Sequence, residues 1–104
     1  MKKTTENKLI IPTLTILALN GPILAADLAD ELKKIVHLYP HDKEKLENRN
    51  VTNFEQTVSN LISHRKFNSI AKDKKLVTYT QVSGMRKFIL SITPSGRKYL
   101  QNRI

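Results

Sequence analysis

Polar side chains suited to hydrogen bonding recur on one side of a predicted helix in the middle of the chain. Asn53, Gln56 and Asn60, with Ser59 and Ser63, share the face opposite the apolar positions at about 100° per residue. Asn and Gln amides can bond bidentately to adenine edges in the major groove of DNA. This face is therefore either a base-contacting surface or an ordinary solvated helix face, and both interpretations remain open from the helix alone.

Positive charge is concentrated in the second half of the chain. Residues 51–104 contain ten Lys or Arg against two acidic residues, whereas residues 1–50 contain eight against seven. Such a one-sided basic excess is typical of a surface that binds a polyanion. Arg86 and Lys87 lie at the predicted tip and rising strand of a hairpin, with no acidic residue nearby in sequence. Phosphate is their expected partner.

Residues that could support catalysis occur only as fragments. His37 and His41 have the spacing of metal ligands, but a Tyr-Pro pair breaks the helix that would align them and no third ligand is evident. The Asp-Lys-Lys sequence at residues 73–75 lacks the preceding acidic residue that a nuclease motif needs. Ser63 and His64 are adjacent and therefore point to different faces of a helix. We predict no enzyme activity, no metal and no cofactor.

The length and composition of the chain predict one globular domain. A chain of 104 residues can bury one core but has no room for a second lobe, so residues 1–104 are a single predicted domain. The hydrophobic share of 39% and the charged share of 26% are ordinary for a folded domain. Cysteine is absent, which excludes a disulfide framework and a thiolate zinc site.

The N-terminal region partly imitates a secretory signal. Lys2 and Lys3 precede an apolar run at residues 9–19. Pro12 and the following Asn20-Gly21 pair make this a poor signal, and the run is too short to cross a bilayer. We therefore expect a cytoplasmic protein that makes no membrane contact.

Two helices are predicted in the first half of the chain. Pro12 suits the first turn of a helix that ends at the Asn20-Gly21 pair, and residues 22–24 form a short extended link that could pair with a later hairpin. A second helix is predicted over residues 25–38 and stops at Tyr39-Pro40. The mixed-charge residues 41–50 are either a solvated loop or one exposed helical turn.

A third helix, a hairpin and a last helix are predicted in the second half. Thr52 and Glu55 match the capping box that starts a helix. Residues 76–80 and 88–92 are rich in β-branched and aromatic side chains, so they should pair as an antiparallel hairpin. Thr93-Pro94 then begins a short final helix.

The end of the chain resembles a known family. Ile92-Thr93-Pro94-Ser95-Gly96-Arg97, followed by Leu100, is similar to the Ile-Thr-x-x-Gly-Arg-x-x-Leu end of many winged-helix domains. The opening from Ile11-Pro12 to Gly21, the long polar connection after the second helix and Arg49 resemble the N-terminal domain of Mrr-type restriction proteins. The resemblance implies an α+β winged-helix fold, with a three-helix helix-turn-helix core, a two-stranded wing hairpin and a C-terminal helix.

The same resemblance implies roles for particular residues. In winged-helix domains the third helix enters the major groove and the wing touches the backbone or the minor groove. Base edges are therefore the expected partners of Asn53, Gln56, Thr57 and Asn60, and phosphate is the expected partner of Arg86 and Lys87. The predicted DNA-binding set is completed by flanking residues, namely Arg49 before the third helix and His64, Arg65 and Lys66 after it.

Together these features predict a module that recognises double-stranded DNA by sequence and is the specificity part of a restriction-type system. Its partner would be a nuclease subunit or domain. One alternative is a small stand-alone transcriptional regulator that forms a homodimer through its first and last helices. Another is a winged helix whose basic face binds an acidic protein partner.

Overall fold

The computed structural model describes residues 4–45, 51–65, 75–82 and 87–102 of the chain. Within these ranges the fold is α+β, with five α-helices and a three-stranded antiparallel sheet. The helices are α1 (Ile10–Asn20), α2 (Leu28–Lys33), α3 (Pro40–Lys43), α4 (Asn53–Ser63) and α5 (Pro94–Gln101). The strands are β1 (Ile23–Leu24), β2 (Val77–Gln81) and β3 (Phe88–Ile92), and short 3-10 turns cover Asn7–Leu9 and Ala25–Asp27.

The predicted capping box at the start of α4 is confirmed. The Glu55 amide donates to the Thr52 hydroxyl at 3.1 Å, and the Thr52 amide donates to the Glu55 carboxylate at 3.0 Å. The Thr52 hydroxyl also donates to the Glu55 carboxylate at 3.0 Å. The bonds that the Thr52 amide and hydroxyl donate lower the pKa of Glu55, with a further contribution from the charge of Lys33. The start of α5 is confirmed as well, because the Gly96 amide donates to the Thr93 hydroxyl at 2.9 Å.

The second predicted helix is shorter than expected. It begins as the 3-10 turn Ala25–Asp27, and α2 ends at Lys33, five residues before the predicted end. Leu28 and Leu32 fill the core, but the side chain of Ile35 is 55% exposed. The amide of Ile35 bonds to the carbonyl of Leu32 at 3.1 Å, a three-residue spacing that ends the helix.

Tyr39-Pro40 was predicted to stop the second helix, and Pro40 also begins α3. The fixed φ of proline suits the first turn of a helix. One of the two alternatives for residues 41–50, a single helical turn, is therefore observed. The prediction that this turn is exposed was wrong for Asp42, which is only 1% exposed. Its burial results from hydrogen bonds to a segment distant in sequence.

The sheet has the strand order β1-β3-β2. Strands β2 and β3 form the predicted hairpin, with Val77 opposite Ile92 and Gln81 opposite Phe88. The short extended link pairs with the hairpin through Ile23 opposite Leu90. One edge of β3 is thus covered by β1, and the hairpin is held against the helices.

The core lies between the helices and the inner face of this sheet. Its buried apolar side chains come from every layer: Leu9, Ile10, Leu14, Ile16, Leu17, Leu28, Leu32, Phe54, Val58, Leu61, Leu76, Val77, Leu90 and Leu100. The start of α5 approaches the hairpin so closely that a Cβ on Gly96 would overlap the carbonyl oxygen of Leu76. This packing fixes the position of α5 relative to the base of the hairpin. No helix in the described part of the chain is long and apolar enough to cross a membrane.

Candidate nucleic-acid interface

The polar face of α4 is only partly open to solvent. Ser59 and Ser63 are exposed, as expected opposite the core. Gln56 and Asn60 belong to the same predicted face, yet both are half-buried. Contacts outside the core therefore reduce the solvent exposure of Gln56 and Asn60.

Gln56 and Asn60 line a polar cleft, which we call the α4 cleft, with a volume of about 310 Å³. The wall opposite α4 is built by α3 and by residues 4–6, which we call the N-terminal arm. The lining residues are Thr4, Thr5, Glu6, His41, Asp42, Asn53, Gln56, Thr57 and Asn60. Among the described residues, this lining holds two carboxylates and no Lys or Arg, so their charge does not favour phosphate.

The N-terminal arm is held at both of its ends. Asp42 accepts hydrogen bonds from the backbone amide of Thr4 at 2.9 Å and from the Thr4 hydroxyl at 2.7 Å. At the other end, Oε1 of Glu6 lies 3.0 Å from Nδ1 of His64, the residue that follows α4. The arm therefore connects α3 with the C-terminal end of α4.

The ionised carboxylate of Asp42 organises this region. Burial raises the pKa of Asp42, but hydrogen bonds from the Thr4 backbone and hydroxyl and from the Tyr39 backbone, together with the charge of His41, outweigh that effect. The net result is a pKa below the ordinary value of 3.8. Because the Tyr39 amide also donates to this carboxylate at 2.9 Å, the same group orders both the start of α3 and the arm.

The α4 side chains in the cleft already bond within the protein. The side-chain amide of Asn53 donates to the carbonyl of His41 at 2.8 Å. The side-chain amide of Gln56 donates to the side-chain oxygen of Asn60 at 2.9 Å. The Thr57 hydroxyl donates to the carbonyl of Asn53 at 2.9 Å. Contact with a base edge would require some of these bonds to be exchanged.

A second candidate surface lies on the hairpin and α5. Residues 74–104 contain seven Lys or Arg and no acidic residue. Within the described residues, four exposed cations on these elements have no carboxylate within ion-pair distance. We call them the hairpin–α5 cations: Lys75, Lys87, Arg97 and Lys98.

Two lysines of α2 and its C-cap contrast with these cations. Nζ of Lys33 lies 3.8 Å from Oδ1 of Asp30 and 3.9 Å from Oε2 of Glu55. Nζ of Lys34 lies 3.2 Å from Oε1 of Glu31. Their charge is therefore partly compensated within the protein, whereas the charge of the hairpin–α5 cations faces solvent. Pairs of this exposed kind stabilise a protein by about 1 kcal/mol or less, so their main effect here is on the field outside the protein.

Two of the hairpin–α5 cations, Lys87 and Lys75, lie at opposite ends of the hairpin, and the other two lie on α5. Lys87 directly precedes β3, and its carbonyl accepts a hydrogen bond from the Val82 amide at 2.9 Å. At the other end, the Thr93 hydroxyl bonds to the carbonyl of Lys75, and the Arg97 amide bonds to the carbonyl of Thr93. Five extended residues separate the two ends, or about 17 Å. Duplex DNA presents about ten phosphate charges over that length.

Arg65 connects the end of α4 to the hairpin. Its backbone φ of 51° is left-handed, and its guanidinium lies 4.3 Å from the ring centroid of Tyr79 on β2. A cation over a tyrosine face is stabilising. Burial raises the pKa of the Tyr79 hydroxyl to about 12, against a smaller opposing effect of the Arg65 charge.

The predicted site residues thus divide into several places. Asn53, Gln56, Thr57 and Asn60 come together in the α4 cleft, and His64 contacts the arm next to it. Arg65 and Lys87 lie apart from the cleft, on the side of the hairpin. Three predicted residues, Arg49, Lys66 and Arg86, lie outside the described residues.

Three of the hairpin–α5 cations were missing from the predicted DNA-binding set. Lys75, Arg97 and Lys98 contributed to the basic excess of the second half, but no local motif distinguished them from other surface cations. Their common signal is the absence of acidic residues after Asp73. Asp42 and Glu6 were also missed, because only the fold brings them to α4.

The catalytic fragments do not assemble in the described part of the chain. His37 packs edge-on against Tyr39 at 5.0 Å between ring centroids, and Nδ1 of His41 lies 3.7 Å from Glu44. No group of three potential metal ligands occurs among the described side chains. Residues 73 and 74 are not among those described.

Comparison of this chain with protein-family models, with curated protein sequences and with solved structures found no match.

Proposed function

We propose that this chain is a winged-helix module that binds double-stranded DNA. The hairpin–α5 cations bind phosphate, and the amide side chains of α4 contact base edges. The observation that carries the proposal is the set of four exposed cations on the ends of the hairpin and on α5, none with a carboxylate partner among the described residues.

The order of elements supports the winged-helix part of the proposal. A helix and a short strand are followed by further helices, a hairpin and a terminal helix. The short strand pairs with the second hairpin strand, which is the arrangement expected when a wing extends from a helical core. In such a module α4 would occupy the place of the helix that enters the major groove.

The distribution of charge supports phosphate as the first partner. Phosphate contacts from Lys and Arg supply most of the affinity of a DNA-binding protein without carrying sequence information. Sequence preference would then come from Gln56 and Asn60, whose amides match adenine edges. The restriction-type role rests on the resemblance to Mrr-type proteins, and a transcriptional role is the alternative for the same DNA-binding surface.

A salt titration of duplex DNA binding tests the proposal. Wild type should lose affinity linearly on a log-log plot, and each phosphate contact should contribute about 0.9 to the slope. The double variant Arg97→Ala/Lys98→Ala should lower the slope by about 1.8 when both residues contact phosphate.

The chain offers a matched control for this variant. Lys33→Ala/Lys34→Ala also removes two adjacent cations next to a helix, but from residues that are ion-paired. Its slope should stay close to that of wild type. Equal losses in both variants would mean that only net charge matters, and equal or tighter binding to polyglutamate than to DNA would favour the acidic-protein alternative.

A further inference from the structure

The N-terminal arm lies where DNA would have to approach the amides of α4. Glu6 and Thr4 line the same cleft as Gln56 and Asn60. Gln56 and Asn60 are opposite the core yet only partly exposed, and the arm and α3 form the other side of the cleft that they line.

The contact between Glu6 and His64 places a carboxylate at a predicted DNA contact. His64 follows α4 directly, and its Nδ1 lies 3.0 Å from Oε1 of Glu6. A carboxylate in this position occupies a nitrogen that could otherwise bond to phosphate. Its negative charge also opposes the approach of the DNA backbone.

The other end of the arm has a specific anchor. The hydroxyl and amide of Thr4 both bond to Asp42, and Thr4 is 7% exposed although it lies near the start of the chain. Beyond the arm, the chain enters the core at Leu9, which is 1% exposed. Release of residues 4–6 therefore breaks a few polar contacts and leaves the apolar core in place.

We propose that the N-terminal arm is an autoinhibitory latch, which Asp42 and His64 hold over the polar face of α4. In the closed arrangement the arm covers Gln56 and Asn60, and Glu6 takes the place of a phosphate at His64. DNA that engages α4 must displace the arm. This inference rests on the proposed DNA-binding function, because it describes how the same site is regulated.

The latch can be weakened without changing the core or the predicted DNA contacts. Thr4→Val removes the hydroxyl that bonds to Asp42, and Glu6→Gln removes the charge that faces His64. The matched control is Thr15→Val/Glu31→Gln, which makes the same two chemical changes outside the cleft lining. The Thr15 hydroxyl bonds to the carbonyl of Ile11 within α1, and the Glu31 carboxylate pairs with Lys34 at 3.2 Å. Neither side chain contacts Asp42 or His64 in the described part of the chain.

Arm opening can be measured without DNA, because the chain contains no cysteine. The variant Asn60→Cys introduces one thiol into the α4 cleft, and its rate of labelling by a maleimide reports access to the cleft. In this background, Thr4→Val/Glu6→Gln should raise the labelling rate several-fold over the control pair. Equal rates would overturn the latch, since the arm would then not be closed by these contacts.

DNA affinity measures the consequence of opening, in proteins that retain Asn60. If the closed arrangement outweighs the open one about tenfold, Thr4→Val/Glu6→Gln should bind duplex DNA about tenfold more tightly than the control pair. Faster labelling with equal DNA affinity would overturn autoinhibition while leaving the proposed function intact. Faster labelling with no DNA binding by any protein, wild type included, would overturn the proposed function and the regulatory role together.

Discussion

The α4 cleft and the hairpin–α5 surface differ in how their polar groups are used. In the cleft, Asn53, Gln56 and Asp42 have hydrogen-bond partners inside the protein. On the hairpin and α5, Lys87 and Arg97 have no carboxylate partner in the described ranges. Groups with internal partners contribute to stability, whereas exposed cations without such partners are available for the proposed contacts with phosphate. We therefore expect substitutions in the two regions to affect different measurements.

The largest expected effect is on stability, from Asp42→Ala. This change removes the acceptor of the Thr4 amide, the Thr4 hydroxyl and the Tyr39 amide. Because the arm can then open and its polar groups become hydrated, the loss should be about 2 kcal/mol of unfolding free energy, from the arm contacts and the start of α3 together. Urea denaturation measures the loss. Glu44→Ala, which removes an exposed carboxylate two residues away, should cost less than about 0.5 kcal/mol. Similar losses in both variants would contradict the assigned role of Asp42.

Acid should remove part of the same stabilisation. The pKa of Asp42 is lower in the folded protein than its ordinary value of 3.8, so the folded state favours the ionised form. Its contribution is therefore complete above pH 3.8 and declines as the pH falls through the lower folded value. The difference in unfolding free energy between wild type and Asp42→Asn should shrink below this pH. A difference that stays constant between about pH 6 and pH 3 would argue against ionic bonding by Asp42.

In the α4 cleft, Gln56→Ala should act on sequence preference. If this amide contacts a base edge after the arm opens, its loss should relax discrimination at one base position by about 1 to 3 kcal/mol. Non-specific binding should change little, because phosphate contacts weaken all sequences together. Selection from randomised duplexes, with wild type and the variant in parallel, measures this effect. Identical motifs from both proteins would place sequence recognition elsewhere.

The N-cap of α4 gives a smaller effect on stability. Thr52→Ala removes the hydroxyl that accepts the Glu55 amide, so we expect a loss of about 1 kcal/mol. Thr52→Ser retains the acceptor and serves as the control. Thermal or urea unfolding compares the two variants, and equal midpoints would show that the cap contributes little.

Lys87→Ala should have the smallest effect on stability and a clear effect on binding. Lys87 is exposed and has no ion pair with a described carboxylate, so the unfolding free energy should change by less than about 0.5 kcal/mol. The slope of log affinity for DNA against log salt concentration should fall in magnitude by about 0.9. A destabilised variant with an unchanged slope would contradict the contrast between the two regions.

Much of the local structure could be predicted because its causes are close together in the chain. The cap formed by Thr52 and Glu55 spans four residues, and two runs of β-branched and aromatic side chains predicted the pairing of β2 with β3. The end of α2 was not predictable in the same way. Ile35 and Val36 continue the apolar periodicity, but Ile35 is exposed. Leu32 is the last fully buried residue of this segment, and Val36 and Leu38 pack only against the margin of the core.

The candidate site was predicted only in part, for a related reason. Helical periodicity placed Gln56 and Asn60 opposite the core, which the fold of α4 bears out. It could not show that residues more than 45 positions earlier line the same cleft. Periodicity identifies the side of a helix that avoids the core, and it carries no information about a second segment that packs on the other side.

The sequence by itself determined the caps of α4 and α5, the antiparallel pairing of the hairpin strands and the excess of cations over acids in the second half of the chain. These properties depend on neighbouring residues or on composition. Only the tertiary structure decided that Asp42 is buried, that Glu6 contacts His64 and that the α4 amides share a cleft with the N-terminal arm. Such contacts join residues that are distant in the chain, so they depend on how the packed core positions its surface segments.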